Sequence, residues 1–136
     1  MPASLKFVVG LLVLAAAAAP VSLVVQHQEG KRRDEETATA MTGGGDPRAG
    51  DLAMKRYGCG ACHAITGVSQ AGGQAGPSLD KIASRAFLAG RLPNRPDQMM
   101  RWIRTPQEVE PGAGMPDMGV TEEDARDIAA YLYTLR

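Results

Sequence analysis

The chain has 136 residues, which is enough for one small domain with a short appendage. Fifteen Lys and Arg residues balance fifteen Asp and Glu residues, so the chain lacks the basic excess typical of nucleic-acid-binding proteins and we expect no nucleic-acid partner. Only six residues are aromatic and 25 are Gly or Pro, so any compact part must be rich in loops. A small domain of this composition usually needs a disulfide, a metal or a cofactor to stay folded.

The N-terminal part contains an apolar run, residues 7–25, without a charged residue. As a helix this run would extend about 28 Å, which matches the hydrocarbon core of a bilayer. A cleaved signal peptide is the alternative, with Lys6 as its charged start and the small residues 15–19 as its cleavage region. The run continues beyond that region and Pro20 would become the new N-terminus. The pattern therefore favours a retained membrane anchor over residues 1–25.

Residues 26–45 are polar and charged and end in three glycines, which predicts a flexible linker with an end-to-end distance of roughly 25 Å. Lys6 favours a cytoplasmic N-terminus, whereas the basic residues 31–33 would favour placing the other end of the anchor in the cytoplasm. The charge pattern alone therefore leaves the orientation of the anchor open.

Residues 46–136 are predicted to form an all-α domain with long loops, because no segment shows the period-two alternation of a strand. Capping residues and prolines predict three helices in this domain. The first begins at Asp46 and Pro47 and ends at about Tyr57, and the second begins at Asn94 and Asp97, continues through Trp102 and Ile103 and stops at Pro106. The third begins with a capping box, Thr121 and Asp124, and continues to the C-terminus.

The segment Cys59-Gly60-Ala61-Cys62-His63 has the C-x-x-C-H spacing of covalent c-type heme attachment. Two thiols three positions apart on a turn can each form a thioether with a heme vinyl group, and the next residue, His63, then lies beneath the iron as an axial ligand. A zinc site would need further Cys or His ligands, and the chain has two residues of each type. A thioredoxin-like pair would need a preceding strand, where a helix is predicted. We therefore expect one heme c attached through Cys59 and Cys62.

The second axial ligand is predicted to be a methionine, because the other histidine, His27, lies in the predicted linker. Three methionines fall in predicted helices and are expected in the core: Met54, Met99 and Met100. Met115 stands directly before Pro116 in a loop rich in Gly and Pro, which can fold over a flat cofactor and present a thioether. The metal ligands would then be His63 and Met115, with Met118 as the alternative to Met115.

The domain resembles class I c-type cytochromes over nearly all of residues 46–136. The matching segments, in chain order, are residues 57–63, Gly76-Pro77-Ser78-Leu79, residues 100–106, residues 111–116 and Ala129-Ala130-Tyr131-Leu132. Their order and spacing together are specific, although no segment except C-x-x-C-H would be specific alone. The resemblance implies a small all-α cytochrome c fold around one covalent heme. The N-terminal pattern adds a single transmembrane helix and a flexible linker before this domain.

The resemblance also implies roles for residues near the heme. The carbonyl of Pro77 would accept the second ring N–H of His63 and so fix the tautomer of that ligand. Trp102 would line the heme on the methionine side, a position compatible with an ordinary core aromatic. Gly50 would allow the first helix of the domain to cross the last helix near residues 131–132.

Charge is unevenly distributed along the domain, with basic residues concentrated in residues 80–104 and acidic residues in residues 105–136. A solvated surface explains this pattern without any function. The functional alternative is that Arg91 or Asn94 steadies the heme propionates and that the basic segment faces an acidic redox partner.

With His63 and Met115 on the iron, no coordination position is open to oxygen or a substrate, which favours a one-electron carrier over an enzyme. A neutral thioether and a buried heme also favour the ferrous state and hence a relatively high reduction potential. Heme c is attached outside the bacterial inner membrane, so we expect a single-pass protein whose heme domain faces the periplasm.

Three functions are compatible with this chemistry, and the first two belong to a bacterial respiratory chain. The first is a tethered carrier between a quinol-oxidising cytochrome complex and a terminal heme-copper oxidase. The second is a tightly bound subunit of an oxidase or a respiratory supercomplex, with the anchor packed on partner helices. A heme gas sensor or peroxidase is the third, and it would require Met115 to detach from the iron.

Overall fold

A computed structural model describes residues 2–136, and the chain divides into a first unit that ends at Arg33 and a second unit, Asp34–Arg136. The described helices are α1 (Ala3–Met41), α2 (Pro47–Arg56), α3 (Pro96–Arg104), α4 (Pro106–Val109) and α5 (Glu122–Thr134). The remaining regular elements are two short 3-10 turns, Cys59–Ala61 and Ile82–Ser84, and a two-stranded hairpin, β1 (Phe87–Leu88) with β2 (Leu92–Pro93). The second unit is thus mostly helical with long loops, which confirms the predicted fold class.

Helix α1 contains the apolar run 7–25, and the side chains of this run are exposed in the first unit. By its length and composition the helix could cross a membrane, and its most apolar window has no buried residue. It is therefore a candidate single transmembrane anchor. A cleaved signal sequence would also be an apolar helix near the N-terminus, so this helix is compatible with both alternatives.

The segment predicted as a flexible linker is helical over residues 26–41, because α1 continues to Met41. Half of the residues in this segment are Glu, Lys, Arg or Ala, which are strong helix formers, although the charged ones also suit a linker. The helix ends where Gly43 and Gly44 adopt positive φ angles of 71° and 99°. Only the short remainder of the predicted linker is irregular.

The end of α1 belongs to the core of the second unit. Ala38 is fully buried, and the buried hydroxyl of Thr42 donates to the carbonyl oxygen of Ala38 at 2.8 Å. Gly45 lies against α5, because a Cβ atom added there would lie 2.6 Å from the carbonyl oxygen of Arg126 and 2.9 Å from the Cβ of Ala130. The folded part of the second unit therefore begins several residues before the predicted boundary at residue 46.

Helices α2 and α5 cross in direct contact at Gly50. A Cβ atom on Gly50 would overlap the carbonyl oxygen of Asp127 and lie 3.0 Å from the backbone nitrogen of Ile128. The expected crossing is present, but Gly50 meets α5 one turn before residues 131–132. Residues one turn apart lie on the same face of a helix, so the observed contact at Asp127 and Ile128 and the expected contact at residues 131–132 are on the same face of α5.

Helices α2 and α5 begin at the predicted capping residues. The Asp46 carboxylate accepts the N–H of Arg48 at 2.8 Å, with Pro47 as the first helical residue. The Thr121 hydroxyl accepts the N–H of Asp124 at 3.1 Å. Both helix starts are confirmed.

Helix α3 begins two residues after its predicted cap. Arg95 occupies the capping position and Pro96 is the first helical residue. The side chain of Asn94 instead donates to the carbonyl oxygens of Ile82 at 2.8 Å and Arg85 at 2.7 Å. The prediction of Asn94 as the helix start was wrong, because its amide forms longer-range bonds that a local pattern does not reveal.

The hairpin was not predicted from the sequence. Ala89 and Gly90 have φ angles of 48° and 75°, and the N–H of Arg91 donates to the carbonyl oxygen of Leu88 at 3.0 Å. These are the features of a type I′ turn, which is usually signalled by Asn-Gly or Asp-Gly. An Ala-Gly pair between strands of two residues gives no such signal.

We expect that replacing Ala38 with Arg will detach the end of α1 from the rest of the second unit, because a charged side chain at a fully buried position loses its hydration. The free energy of unfolding of the detergent-solubilised chain, followed by the fluorescence of its single tryptophan, should fall by about 2 kcal/mol. Residues 34–45 should also become sensitive to limited proteolysis. Ala40→Arg, at an exposed position on the same helix, is the control. Equal behaviour of the two variants would contradict the assignment of Ala38 to the core.

Candidate functional site

The two cysteines lie on a tight turn directly after α2. Gly58 leaves the helix with a φ angle of 69°, and the N–H groups of Cys62 and His63 donate to the carbonyl oxygen of Cys59 at 3.3 and 3.0 Å. Both thiols are free; Cys59 is half-buried and Cys62 is exposed. Burial raises the pKa of the Cys59 thiol, and the nearby Cys62 raises it further. The turn thus carries two unpaired thiols next to the histidine.

The ring of His63 is fixed by a backbone carbonyl and by a glycine. Nδ1 of His63 lies 2.8 Å from the carbonyl oxygen of Pro77, and because a carbonyl can only accept, Nδ1 carries the hydrogen and donates it. Nε2 therefore keeps its lone pair for a metal. Gly76 lies against the ring so closely that an added Cβ atom would overlap the imidazole. The structure contains the hydrogen bond to Pro77 that the family resemblance implied.

The glycine-rich loop 64–76 lies directly on the backbone of the cysteine turn. The N–H of Gly73 donates to the carbonyl oxygen of Gly60 at 3.0 Å, and the N–H of Gly76 donates to that of Cys62 at 2.8 Å. A Cβ atom on Gly73 would overlap the backbone of residues 61–62. Composition indicated only that this loop is irregular, whereas the contacts show that glycine allows two backbones to approach closely.

A hydrogen-bonded network joins the end of α2 to the start of α5, and the sequence reading did not identify it. The Tyr57 hydroxyl donates to Oδ2 of Asp124 at 2.7 Å, and the Thr121 hydroxyl donates to the same oxygen at 2.8 Å. Arg56 forms an ion pair with Asp124, and its guanidinium lies 5.4 Å from the centroid of the Tyr57 ring. These bonds, chiefly those from Tyr57 and Thr121, lower the pKa of Asp124. The network fixes the position of the cysteine turn relative to α5.

The methionines of the domain differ in burial. Met54 and Met99 are almost fully buried, and Met100 is partly buried against the same core, which places all three among packed side chains. Met115 is half-buried in the loop between α4 and α5, whereas the side chain of Met118 is exposed. The loop before α5 therefore offers Met115 at a partly protected position.

The remaining predicted site residues have protein partners. Trp102 is half-buried on α3, and Arg91 forms an ion pair with Glu110 at 3.1 Å. Asn94 accepts the hydroxyl hydrogen of Tyr133 at 2.9 Å, in addition to its two donated bonds. The contacts of Arg91 and Asn94 with heme propionates remain predictions, and in this structure the Asn94 side chain joins three separate segments.

These residues fit a covalently attached heme. Two free thiols stand three positions apart in the chain, which is the C-x-x-C-H spacing of heme attachment, and His63 offers Nε2 on a ring whose orientation is fixed. Residues 2–136 contain no group of three or more His, Cys, Asp and Glu side chains that could hold a metal by themselves. Two thiols followed directly by a histidine whose Nε2 can bind a metal are the donors that a covalently attached iron porphyrin needs.

The cytochrome c family model matches residues 48–136, and the chain belongs to the cytochrome c family. This match confirms the resemblance to class I c-type cytochromes and the fold that it implied. The chain therefore contains an electron-transfer domain whose heme c is attached covalently through its two cysteines, Cys59 and Cys62.

Two curated relatives share part of the sequence. Cytochrome c oxidase subunit 2 of Alkalihalophilus pseudofirmus is 37% identical over 79 residues, covering 57% of this chain and 22% of that protein. Cytochrome c oxidase subunit 2 of Bacillus sp. strain PS3 is 30% identical over 82 residues, covering 57% of this chain and 23% of that protein. The chain thus matches less than a quarter of the length of these relatives. No solved structure matches it.

We expect the Asp124 network to make stability depend on pH on the acid side. The folded state holds the pKa of Asp124 below its ordinary value, so the stabilisation is present at a pH above that ordinary value and is lost as the pH falls through the lowered pKa. Asp124→Asn should therefore unfold at lower denaturant than the original chain at neutral pH, with a difference that shrinks as the solution is acidified. Glu123→Gln, on the same helical turn, is the control. A difference that does not change with pH would contradict this account.

Proposed function

We propose that the chain is a membrane-anchored one-electron carrier of a bacterial respiratory chain whose iron is held between His63 and Met115. The observation that carries the proposal is the hydrogen bond from Nδ1 of His63 to Pro77, which leaves Nε2 as the only ring nitrogen able to bind a metal. The free thiols beside it are the attachment points that the family implies.

The axial ligands decide the type of chemistry. The bound heme supplies an iron that alternates between the ferric and ferrous states. His63 and Met115 would both bind the iron, so neither oxygen nor a substrate would find an open position, and electrons would pass without a bond to the iron. The uncharged thioether of Met115 favours the ferrous state and a relatively high reduction potential.

The protein around these ligands limits movement and access to water. Gly76 and Pro77 hold the His63 ring, and the loop 64–76 covers the backbone of the cysteine turn. We infer that Trp102 lines the heme on the side of Met115, where its half-buried ring would help to exclude solvent. A site that changes little between two charge states suits electron transfer, because little has to rearrange when the charge changes.

The relatives indicate the kind of partner. Both are subunits of cytochrome c oxidase, so we propose a terminal heme-copper oxidase as the electron acceptor and a quinol-oxidising cytochrome complex as the donor. The apolar length of α1 supports a retained anchor. Heme attachment outside the inner membrane supports a periplasmic heme domain, in spite of the basic residues 31–33.

A bound subunit of an oxidase is the second candidate, and the same relatives favour it. The two candidates differ in what remains attached after mild solubilisation. Native electrophoresis of detergent-solubilised membranes, stained for heme, should give a band near the mass of the lone chain for a tethered carrier. Co-migration with the hemes of an oxidase or of a quinol-oxidising complex would identify a subunit. Heme found only in the soluble fraction would contradict the retained anchor.

We expect Met115→Ala to keep the covalent heme but to open the iron to added ligands. The ferric protein should lose the weak far-red absorption band that thioether ligation produces, and the ferrous protein should bind carbon monoxide rapidly. Met118→Ala is the matched control, because its side chain is exposed in the same loop. Loss of the band in Met118→Ala, with no change in Met115→Ala, would transfer the ligand role to Met118.

A further inference from the structure

The loop that carries Met115 is held by one side chain, that of Gln107 on α4. Nε2 of Gln107 donates to the carbonyl oxygens of Ala113 and Met115, both at 2.7 Å. Its Oε1 accepts the N–H of Gly112 at 3.1 Å. A single amide group therefore uses both of its N–H donors and its oxygen on the backbone of this loop.

The backbone of Gln107 binds the same loop beyond the methionine. Its N–H donates to Oδ1 of Asp117 at 3.2 Å, so the loop is attached on both sides of Met115. Pro116 restricts the residue before it to extended conformations. Gln107 sets the direction of the Met115 carbonyl and Pro116 limits the backbone dihedral angles of Met115, which together restrict the direction of its Cα–Cβ bond.

Gln107 lies next to the buried start of α4. The preceding residue, Pro106, is fully buried and begins α4, and the N–H of Thr105 donates to the carbonyl oxygen of Arg101 at 3.0 Å at the end of α3. The Gln107 side chain is half-buried, so water competes less for its hydrogen bonds. Gln107 therefore connects the buried start of α4 to the exposed Gly- and Pro-rich loop.

We propose that Gln107 is a positioning residue that determines how firmly the Met115 thioether is held at the iron. The inference rests on the proposed function, because it takes Met115 as the axial ligand. A loop rich in Gly has many conformations to lose, and ordering it in advance raises the fraction of molecules in which the thioether is placed to bind. Without the Gln107 bonds, the loop would more often hold Met115 away from the heme.

The test compares three variants of the full-length, heme-loaded chain. Gln107→Ala removes every side-chain bond to the loop, whereas Gln107→Glu keeps the shape and an acceptor oxygen but loses both N–H donors. Gln98→Ala is the matched control, because the Gln98 amide donates to the exposed Asp97 on α3 and not to the loop. The measurements are imidazole binding to the ferric protein, the far-red band, the reduction potential and the unfolding midpoint.

We expect both Gln107 variants to bind imidazole on the order of tenfold more tightly than Gln98→Ala, because imidazole competes with a thioether that has lost its hydrogen-bonded support. Their far-red bands should weaken and their reduction potentials should fall, as loss of methionine ligation predicts. Gln107→Glu, which changes few atoms, keeps the test valid if Gln107→Ala does not fold.

Two results would overturn the role of Gln107. One is imidazole affinity, far-red absorption and potential equal to those of Gln98→Ala; the other is a lower unfolding midpoint without any change in these three quantities, which would indicate a purely structural side chain. A far-red band that survives Met115→Ala is a different failure, since it overturns the ligand assignment of the proposed function itself.

Discussion

The hydrogen bond from Nδ1 of His63 to the carbonyl of Pro77 is the interaction on which the rest of this site depends. It selects one tautomer and one orientation of the ring, and thereby directs Nε2 at a fixed position beside the two thiols. The bond can form only because Gly76 has no side chain at the point where the loop passes the imidazole. A cofactor site is thus built in a domain of few aromatics through close approach of backbones.

Close approach of backbones also positions elements farther from the site. Gly50 lets α2 and α5 touch at Asp127, and α2 then ends at the turn that carries both cysteines. The Tyr57–Asp124 bond fixes this end of α2 to the start of α5. Gln107 attaches the loop that contains Met115 to α4. The cysteine turn and the Met115 loop are therefore attached, each by its own contacts, to one small set of helices.

Local signals allowed much of this arrangement to be predicted. The C-x-x-C-H spacing and the capping residues Asp46 and Thr121 act within a few positions of the chain, so a single sequence contains their physical cause. The continuation of α1 through residues 26–41 was missed, because charged helix formers have the composition of a solvated linker.

Contacts between distant segments could not be predicted in the same way. Gln107 is an ordinary helix residue by sequence, and the sequence shows Asp124 only as a member of a capping box. Their bonds to the loop at Met115 and to Tyr57 come from partners brought near by folding. Asn94 shows the converse, since a residue suited to cap a helix instead bonds to Ile82, Arg85 and Tyr133. A polar side chain with two donors and an acceptor can satisfy either geometry, and the fold decides which one forms.

Iron-edge X-ray absorption on the full-length ferric chain reports the atoms bound to iron without relying on partner proteins, and so measures directly whether His63 and Met115 hold the iron. This ligation predicts one sulfur atom in the first coordination shell, in addition to the nitrogens of the porphyrin and of His63, and loss of that sulfur in Met115→Ala. A first shell of nitrogen and oxygen atoms without sulfur in the unsubstituted chain would contradict it.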